Sequence, residues 1–244
     1  MIYLYKRIPV GFEKMPFCET TRNPLLRSKA DAVLFHFLEN EATQLRRFAN
    51  NQIYIGLVHE SPVSGGPFRE LQIPINWTMT YRRDSDIYFP WSRVLHRVVK
   101  DSVESVDRIF PKIEINKRTK SVVWAVGHCN KENGRIEYAK ELSKYIDVDI
   151  YGKCSPTKLE CSKKIGDCWE QIRKTYKFWL AFENSHCKDY ISEKFFHNAF
   201  SNGLVPIVFG GFSREDYQYV APNYSYIDVR DFESPKGASY KNYL

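Results

Sequence analysis

The sequence has no run of about 18 apolar residues, so no segment of it crosses a bilayer as a helix. It has no CxxC pair and no HExxH, the compact spacings by which zinc sites announce themselves. It also lacks any block of about five like charges, which excludes a polybasic arm. Internal repeats and low-complexity tracts are missing too, which removes solenoids and disordered tails. The opening stretch Met1–Phe12 is too short and too polar for a signal peptide. If the protein is lumenal, its targeting segment is expected outside this chain.

What is present describes a folded protein. Hydrophobic residues make up 43% and charged ones 27%, a mixture that buries a core rather than staying disordered. With 244 residues there is room for one large domain or two small ones. The net charge of +7 points to an anionic partner, with nucleic acid, a membrane surface and a sugar diphosphate all open. The basic residues are scattered in pairs such as Lys6-Arg7, Arg46-Arg47, Arg82-Arg83 and Lys163-Lys164, so charge alone does not choose.

Six cysteines need a role: Cys18, Cys129, Cys154, Cys161, Cys168 and Cys187. Cys154, Cys161 and Cys168 follow one another at intervals of seven, which suits disulfides around loops better than a metal cage. The sequence does not choose among the pairings they allow. Two sequons, Asn76-Trp77-Thr78 and Asn223-Tyr224-Ser225, agree with a secretory route, though each lies beside apolar residues.

Apolar runs and turn signals organise the chain into two blocks, with a charged, aperiodic seam near residues 108–120. In the first block, Ala32–Phe37, Ile53–His59 and Ile75–Thr80 read as strands and Asn40–Ala49 as a helix. In the second, the strands are Val122–Val126, Val148–Tyr151, Phe178–Phe182, Val205–Phe209 and Tyr226–Val229. Helices are expected at Arg135–Tyr145, around Lys163–Lys174, at Glu193–Ser201 and, shorter, at Asp216–Val220. Alternating β-α-β with nearly continuous apolar strands predicts α/β architecture, a parallel sheet covered on both faces. Such sheets bind ligands beyond the carboxyl ends of their strands.

The densest segment is Tyr176–Gly211. A buried strand ends in Glu183-Asn184-Ser185, and Ser192 reads as the N-cap of a helix with Glu193 and Lys194 in its first turn. The positive helix end and the Lys194 charge favour a diphosphate there. Glu193 is suited to accept ribose or sugar hydroxyls, and Tyr190 to stack or hydrogen-bond beside them. An ordinary solvated first turn would look the same, and Asn184 would equally serve as a loop residue capping its own backbone. Two Asp-x-Asp triplets, Asp84-Ser85-Asp86 and Asp147-Val148-Asp149, raise a divalent-ion reading. Turn chemistry at a strand start explains Asp147 and Asp149, and His59, His128, His186 and His197 form no compact metal pattern.

The stretch Phe178–Gly210 resembles the donor-binding signature of the α1,3-fucosyltransferase family. The resemblance runs through Phe182-Glu183-Asn184-Ser185, then Tyr190-Ile191-Ser192-Glu193-Lys194, then Val205-Pro206-Ile207-Val208-Phe209-Gly210. His59-Glu60-Ser61-Pro62, Asn76–Asp86 and Tyr226–Pro235 are similar to further family blocks, in order. The resemblance implies two Rossmann-like domains of GT-B type with a cleft between them. The expected division is 1–115 on the acceptor side and 116–244 holding GDP-fucose, with the chain stopping before the closing helices. It implies fucose transfer from GDP-fucose to a GlcNAc hydroxyl of a glycan, with inversion, on glycoprotein or glycolipid. It places Glu60 as general base, Arg135 and Lys194 on the leaving diphosphate, and Asn184, Tyr190 and Glu193 as further donor contacts. Asp84 and Asp86 belong to a block not associated with metal ligation, so no cofactor is required and no divalent ion is essential. No nucleic-acid partner is implied, and the expected setting is the Golgi lumen, with a membrane anchor outside this chain. Among Cys154, Cys161, Cys168 and Cys187 at least one disulfide is expected to restrain the donor loop, with free core thiols the alternative. A relative that binds nucleotide sugar or glycan without turnover is the alternative, and an RNA-binding protein using the positive charge a more distant one.

Overall fold

The computed structural model describes residues 1–5, 17–36, 48–63, 75–94, 115–129, 133–156 and 165–240. They form two compact units, Met1–Pro90 and Trp91–Leu244. Most of the expected helix Asn40–Ala49 and of the expected seam fall outside the described residues.

The first unit is a six-stranded sheet built of β1 (Ile2–Tyr5), β2 (Thr20–Thr21), β3 (Ala32–His36), β4 (Ile53–Val58), β5 (Trp77–Thr80) and β6 (Ile87–Tyr88). The spatial order is β2-β1-β3-β4-β5-β6, and every pairing is parallel. Parallel strands are covered on both faces, and successive side chains point to opposite ones. Tyr3, Val33, Phe35 and Tyr54 accordingly fill one apolar cluster. Leu4, Leu34, Ile55 and Leu57 fill the other. The sequence reading missed β1, which lies between β2 and β3. Its four residues are too few to show a period, and only register with β3, Leu4 opposite Leu34, identifies them.

The second unit is a five-stranded parallel sheet of β7 (Lys120–Ala125), β8 (Val148–Tyr151), β9 (Tyr176–Phe182), β10 (Val205–Phe209) and β11 (Ile227–Asp228). The order is β11-β10-β9-β7-β8. Its helices are α1 (Arg135–Leu142), α2 (Ile165–Thr175), α3 (Arg214–Val220) and α4 (Pro235–Tyr240). Ile136, Ala139 and Leu142 of α1 and Ala238 of α4 pack with Phe178, Leu180 and Phe182 on one face. Cys168 and Ile172 of α2 and Tyr217 of α3 pack with Trp179 and Ala181 on the other. This is the doubly wound arrangement expected of a Rossmann-like unit.

One element differs in kind. The expected helix at Glu193–Ser201 is a π-helix over Lys194–Ala199, followed by a 3-10 turn at Phe200–Asn202. The wider winding puts the adjacent Phe195 and Phe196, together with Ala199, into the apolar cluster on the sheet. Single π-turns inside helices are frequent at functional positions. The strand expected at Tyr226–Val229 shortens to β11, because Asp228 caps a 3-10 turn by accepting the Arg230 N–H at 2.9 Å.

Candidate donor-binding site

The order of the second sheet selects a place before any side chain is considered. From β7 the chain builds outward to β8 on one side, then crosses to β9, β10 and β11 on the other. Between β7 and β9 the connections leave in opposite directions, the kind of switch point beyond whose carboxyl ends such sheets bind ligands. Two loops meet there, one after β7 and one after β9. The Asn133 amide donates to the Glu183 carbonyl at 2.7 Å. The Arg135 guanidinium donates to the carbonyls of Phe182 at 3.3 Å and His128 at 2.8 Å. The His186 Nε2–H donates to the Asn133 carbonyl at 3.1 Å.

The loop after β7 is itself tied down. A disulfide joins Cys129 to Cys154, across a separation of 25 residues, so it links the ends of β7 and β8. Gly152 beside it has φ +93°, and a Cβ there would lie 2.7 Å from the Val126 carbonyl oxygen, so no other residue fits. Cys187, in the loop before Tyr190, takes part in no disulfide, so the expected staple does not run through it. Cys168 is disulfide-bonded, with its partner outside the described residues. The bridged loop is the one carrying Asn133 and Arg135, a pairing that cysteine spacing does not reveal.

Where these loops meet lies a carboxyl group to which the sequence assigns no role. Glu183 follows β9 and is 0% exposed. It accepts from the Ser192 N–H at 2.7 Å and from the Ser192 hydroxyl at 2.9 and 2.8 Å. The Lys194 ammonium lies 3.2 Å from its other oxygen. Burial raises the Glu183 pKa, and the Lys194 charge and Ser192 hydrogen bonds offset this only in part. For Lys194, burial pulls downward, but Glu183 and then Glu193 hold the ammonium above its ordinary value. The helix has Glu193 at its N-cap rather than the expected Ser192, whose hydroxyl accepts the Lys194 N–H at 3.4 Å and is committed to Glu183 as well. A buried acid after a strand carries no periodic signal. Only Gly210, whose absent Cβ would sit 2.6 Å from the Glu183 Cγ, betrays the space it needs.

The residues singled out from sequence fall as follows. Arg135 opens α1 and is 2% exposed, its guanidinium turned to backbone carbonyls and its pKa lowered by burial. Tyr190 is 1% exposed and therefore part of the site's floor rather than a surface platform. Asn184 is half-buried in the turn after β9. The Glu193 side chain, 40% exposed, pairs with Lys194 at 3.1 Å. These residues come together around Glu183. Glu60 belongs to the first unit, exposed just past the carboxyl end of β4. Its neighbour His59 is committed elsewhere, stacked on the Phe89 ring at 4.7 Å and donating to the Phe89 carbonyl at 2.9 Å.

The acidic triplets are engaged in local structure. Asp84 receives two N–H groups of Arg82, and Asp86 accepts from both the backbone and the hydroxyl of Thr78 at 2.8 Å. Asp149 pairs with Lys120 at 2.6 Å and with the Tyr176 hydroxyl.

Comparison with known proteins agrees with this fold. A family model described as glycosyltransferase family 10 (fucosyltransferase) C-term matches residues 115–244, and one for the fucosyltransferase N-terminal region matches 8–92. Glycoprotein 3-alpha-L-fucosyltransferase A of Drosophila melanogaster is 44% identical over 96% of this chain, which spans 44% of that protein. Alpha-(1,3)-fucosyltransferase C of the same organism is 35% identical over 85% of this chain, which spans 51% of it. A crystal structure of an α1,3-fucosyltransferase with GDP superposes with TM-score 0.57 over 97% of this chain and 75% of that one, at 15% identity, a likeness of fold. The two Rossmann-like sheets expected from the sequence are thus those of the GT-B type. Since the first model covers more than half of the sequence and a relative is 44% identical across nearly all of it, this chain belongs to glycosyltransferase family 10, the fucosyltransferases.

Proposed function

We propose that this chain transfers L-fucose from GDP-fucose to a GlcNAc hydroxyl of a glycan, in α1,3 linkage and with inversion. The observation that carries the reading is the side-chain cluster at the β7–β9 switch point, where Lys194 stands charged beside Arg135, Asn184, Tyr190 and Glu193 in a chain of this family. Lys194 is the cation for the leaving diphosphate. Arg135 reaches the same group through guanidinium N–H bonds left over from Phe182 and His128, since five are available and two are used. Two fixed cations do what a divalent ion does in other transferases, so the reaction runs without one. Glu193 accepts donor hydroxyls. Tyr190 and Asn184 shape the floor and the rim.

Glu60 is the general base. It takes the proton as the acceptor oxygen attacks the fucose anomeric carbon from the face opposite GDP. The new glycosidic bond forms while the bond to the diphosphate oxygen breaks, and the electron pair leaves on GDP. The Cys129–Cys154 bridge supports an oxidising, lumenal compartment such as the Golgi.

The test is Glu60→Gln, assayed for fucose transfer to a panel of GlcNAc-bearing acceptors and for GDP binding by calorimetry. Transfer is expected to fall about 10²–10⁴-fold, as for loss of a positioned base, with GDP affinity within a few-fold. Near-parental turnover would remove Glu60 from the mechanism.

A further inference from the structure

We propose that Glu193 is a specificity-determining residue. It closes the Lys194 cation to bare anions and yields it to a diphosphate that carries sugar hydroxyls. The inference rests on the reading of Lys194 and Glu193 as donor contacts given above, and it follows from counting hydrogen-bond donors.

A lysine ammonium has three N–H groups and no acceptor. Lys194 has three acceptors around it: the Ser192 hydroxyl oxygen at 2.8 Å, a Glu193 oxygen at 3.1 Å and a Glu183 oxygen at 3.2 Å. Ser192 and Glu193 accept hydrogen bonds and Glu183 completes the ring as an ion pair, so a phosphate oxygen competes with these three for the ammonium.

The three are not equally displaceable. Glu183 is fully buried, held by the Ser192 N–H and hydroxyl, and walled in behind by Gly210. Pulling Lys194 away would leave a carboxylate buried without its counter-ion, among the costlier changes available to a protein. Ser192 is 0% exposed and held between Glu183 and Lys194. Glu193 is different, because its side chain is 40% exposed and Lys194 is its single hydrogen-bond partner among the described residues. It is the group that leaves.

Displacement then decides selectivity. A carboxylate turned away from its cation needs donors. Inorganic phosphate and pyrophosphate, largely deprotonated near neutral pH, supply at most a P–OH, and they add like charge beside it. The hydroxyls of a ribose or a sugar donate to it. For a sugar nucleotide the lost Lys194–Glu193 pair is replaced by two interactions, phosphate with Lys194 and hydroxyl with Glu193. For a bare anion it is replaced by one, at the expense of a stranded charge.

Calorimetry on the whole chain and its Glu193→Gln and Lys194→Ala variants, with inorganic pyrophosphate, GDP and GDP-fucose as ligands, tests this. Glu193 is at the solvent edge, so Glu193→Gln keeps the fold, and its melting temperature checks that. Glu193→Gln is expected to bind pyrophosphate about tenfold tighter than the parent, the scale of one charge-assisted contact. Its preference for GDP-fucose over pyrophosphate should narrow by more than that factor, because the hydroxyl acceptor is weakened at the same time. Unchanged or weaker pyrophosphate binding in Glu193→Gln, with Lys194→Ala still impaired, overturns the gate and leaves the diphosphate site standing. Equal tightening of all three ligands shows a general field effect and also overturns it. If Lys194→Ala binds every ligand normally, the diphosphate sits elsewhere and both readings fall.

Discussion

Replacing Gly210 by alanine adds one methyl group at a place where the structure has no room for it. Gly210 does not occupy the left-handed region, so the backbone accepts alanine and only space refuses it. The new Cβ would lie 2.6 Å from the Glu183 Cγ, 2.8 Å from the Glu183 Cβ and 3.1 Å from the Tyr217 hydroxyl oxygen. Neither neighbour can step aside. The Glu183 carboxylate is pinned by Ser192 and Lys194, and Tyr217 is 0% exposed within the apolar cluster. Overpacking of a tight interior typically costs about 1–3 kcal/mol. For a unit of this size each kcal/mol is worth roughly 2–4 °C, so the melting temperature should fall by about 2–12 °C. Glu183 cannot move without Ser192 and Lys194, so GDP affinity should fall several-fold although Gly210 makes no ligand contact of its own. Scanning fluorimetry and calorimetry read the two effects. Gly237→Ala in α4 is the control, since its Cβ would meet nothing nearer than 3.8 Å and a helical alanine is favoured over glycine. If Gly210→Ala melts and binds GDP like the parent, Glu183 is not the rigid anchor described above.

Two further outcomes are expected. Cys129→Ser with Cys154→Ser opens a loop of 25 residues, which by chain entropy alone removes about 3.5 kcal/mol. The pair should melt lower and bind GDP more weakly, because Asn133 and Arg135 stand on the loosened loop; unchanged melting on reduction would refute this. His36 and His59 are both held below the ordinary histidine pKa, chiefly by burial. Between the folded and unfolded values the unfolded chain binds more protons. Their contribution is therefore complete above about pH 6.5 and lost as pH falls below it. Melting curves from about pH 7.5 to 5 should show this loss in the parent and a flatter profile in His36→Asn with His59→Gln, and identical profiles would count against it.

The amino-acid sequence by itself determined much of the second unit. β8 and β10 run over the residues predicted, and β7 and β9 differ by about a turn's width, because apolar runs bounded by turns survive in any parallel sheet. Arg135 at the start of α1 and Lys194 at the start of its helix were legible for the same reason, since capping and helix starts are local. Lys194 could be picked out as a cation, but not as one already engaged by Ser192, Glu193 and Glu183, since that depends on neighbours in space. The π-winding of Lys194–Ala199 depends on which aromatic faces meet the sheet, a property of packing rather than propensity. The disulfide partner of Cys154 was decided by the adjacency of β7 and β8, which brings residues 25 apart to a Cα separation of 5.5 Å. Gly210 reads as one more glycine after a strand until Glu183 is found behind it. Local order follows from short-range sterics and hydrogen bonding along the chain. The site is made of approaches between loops that only the strand order of the sheet brings together.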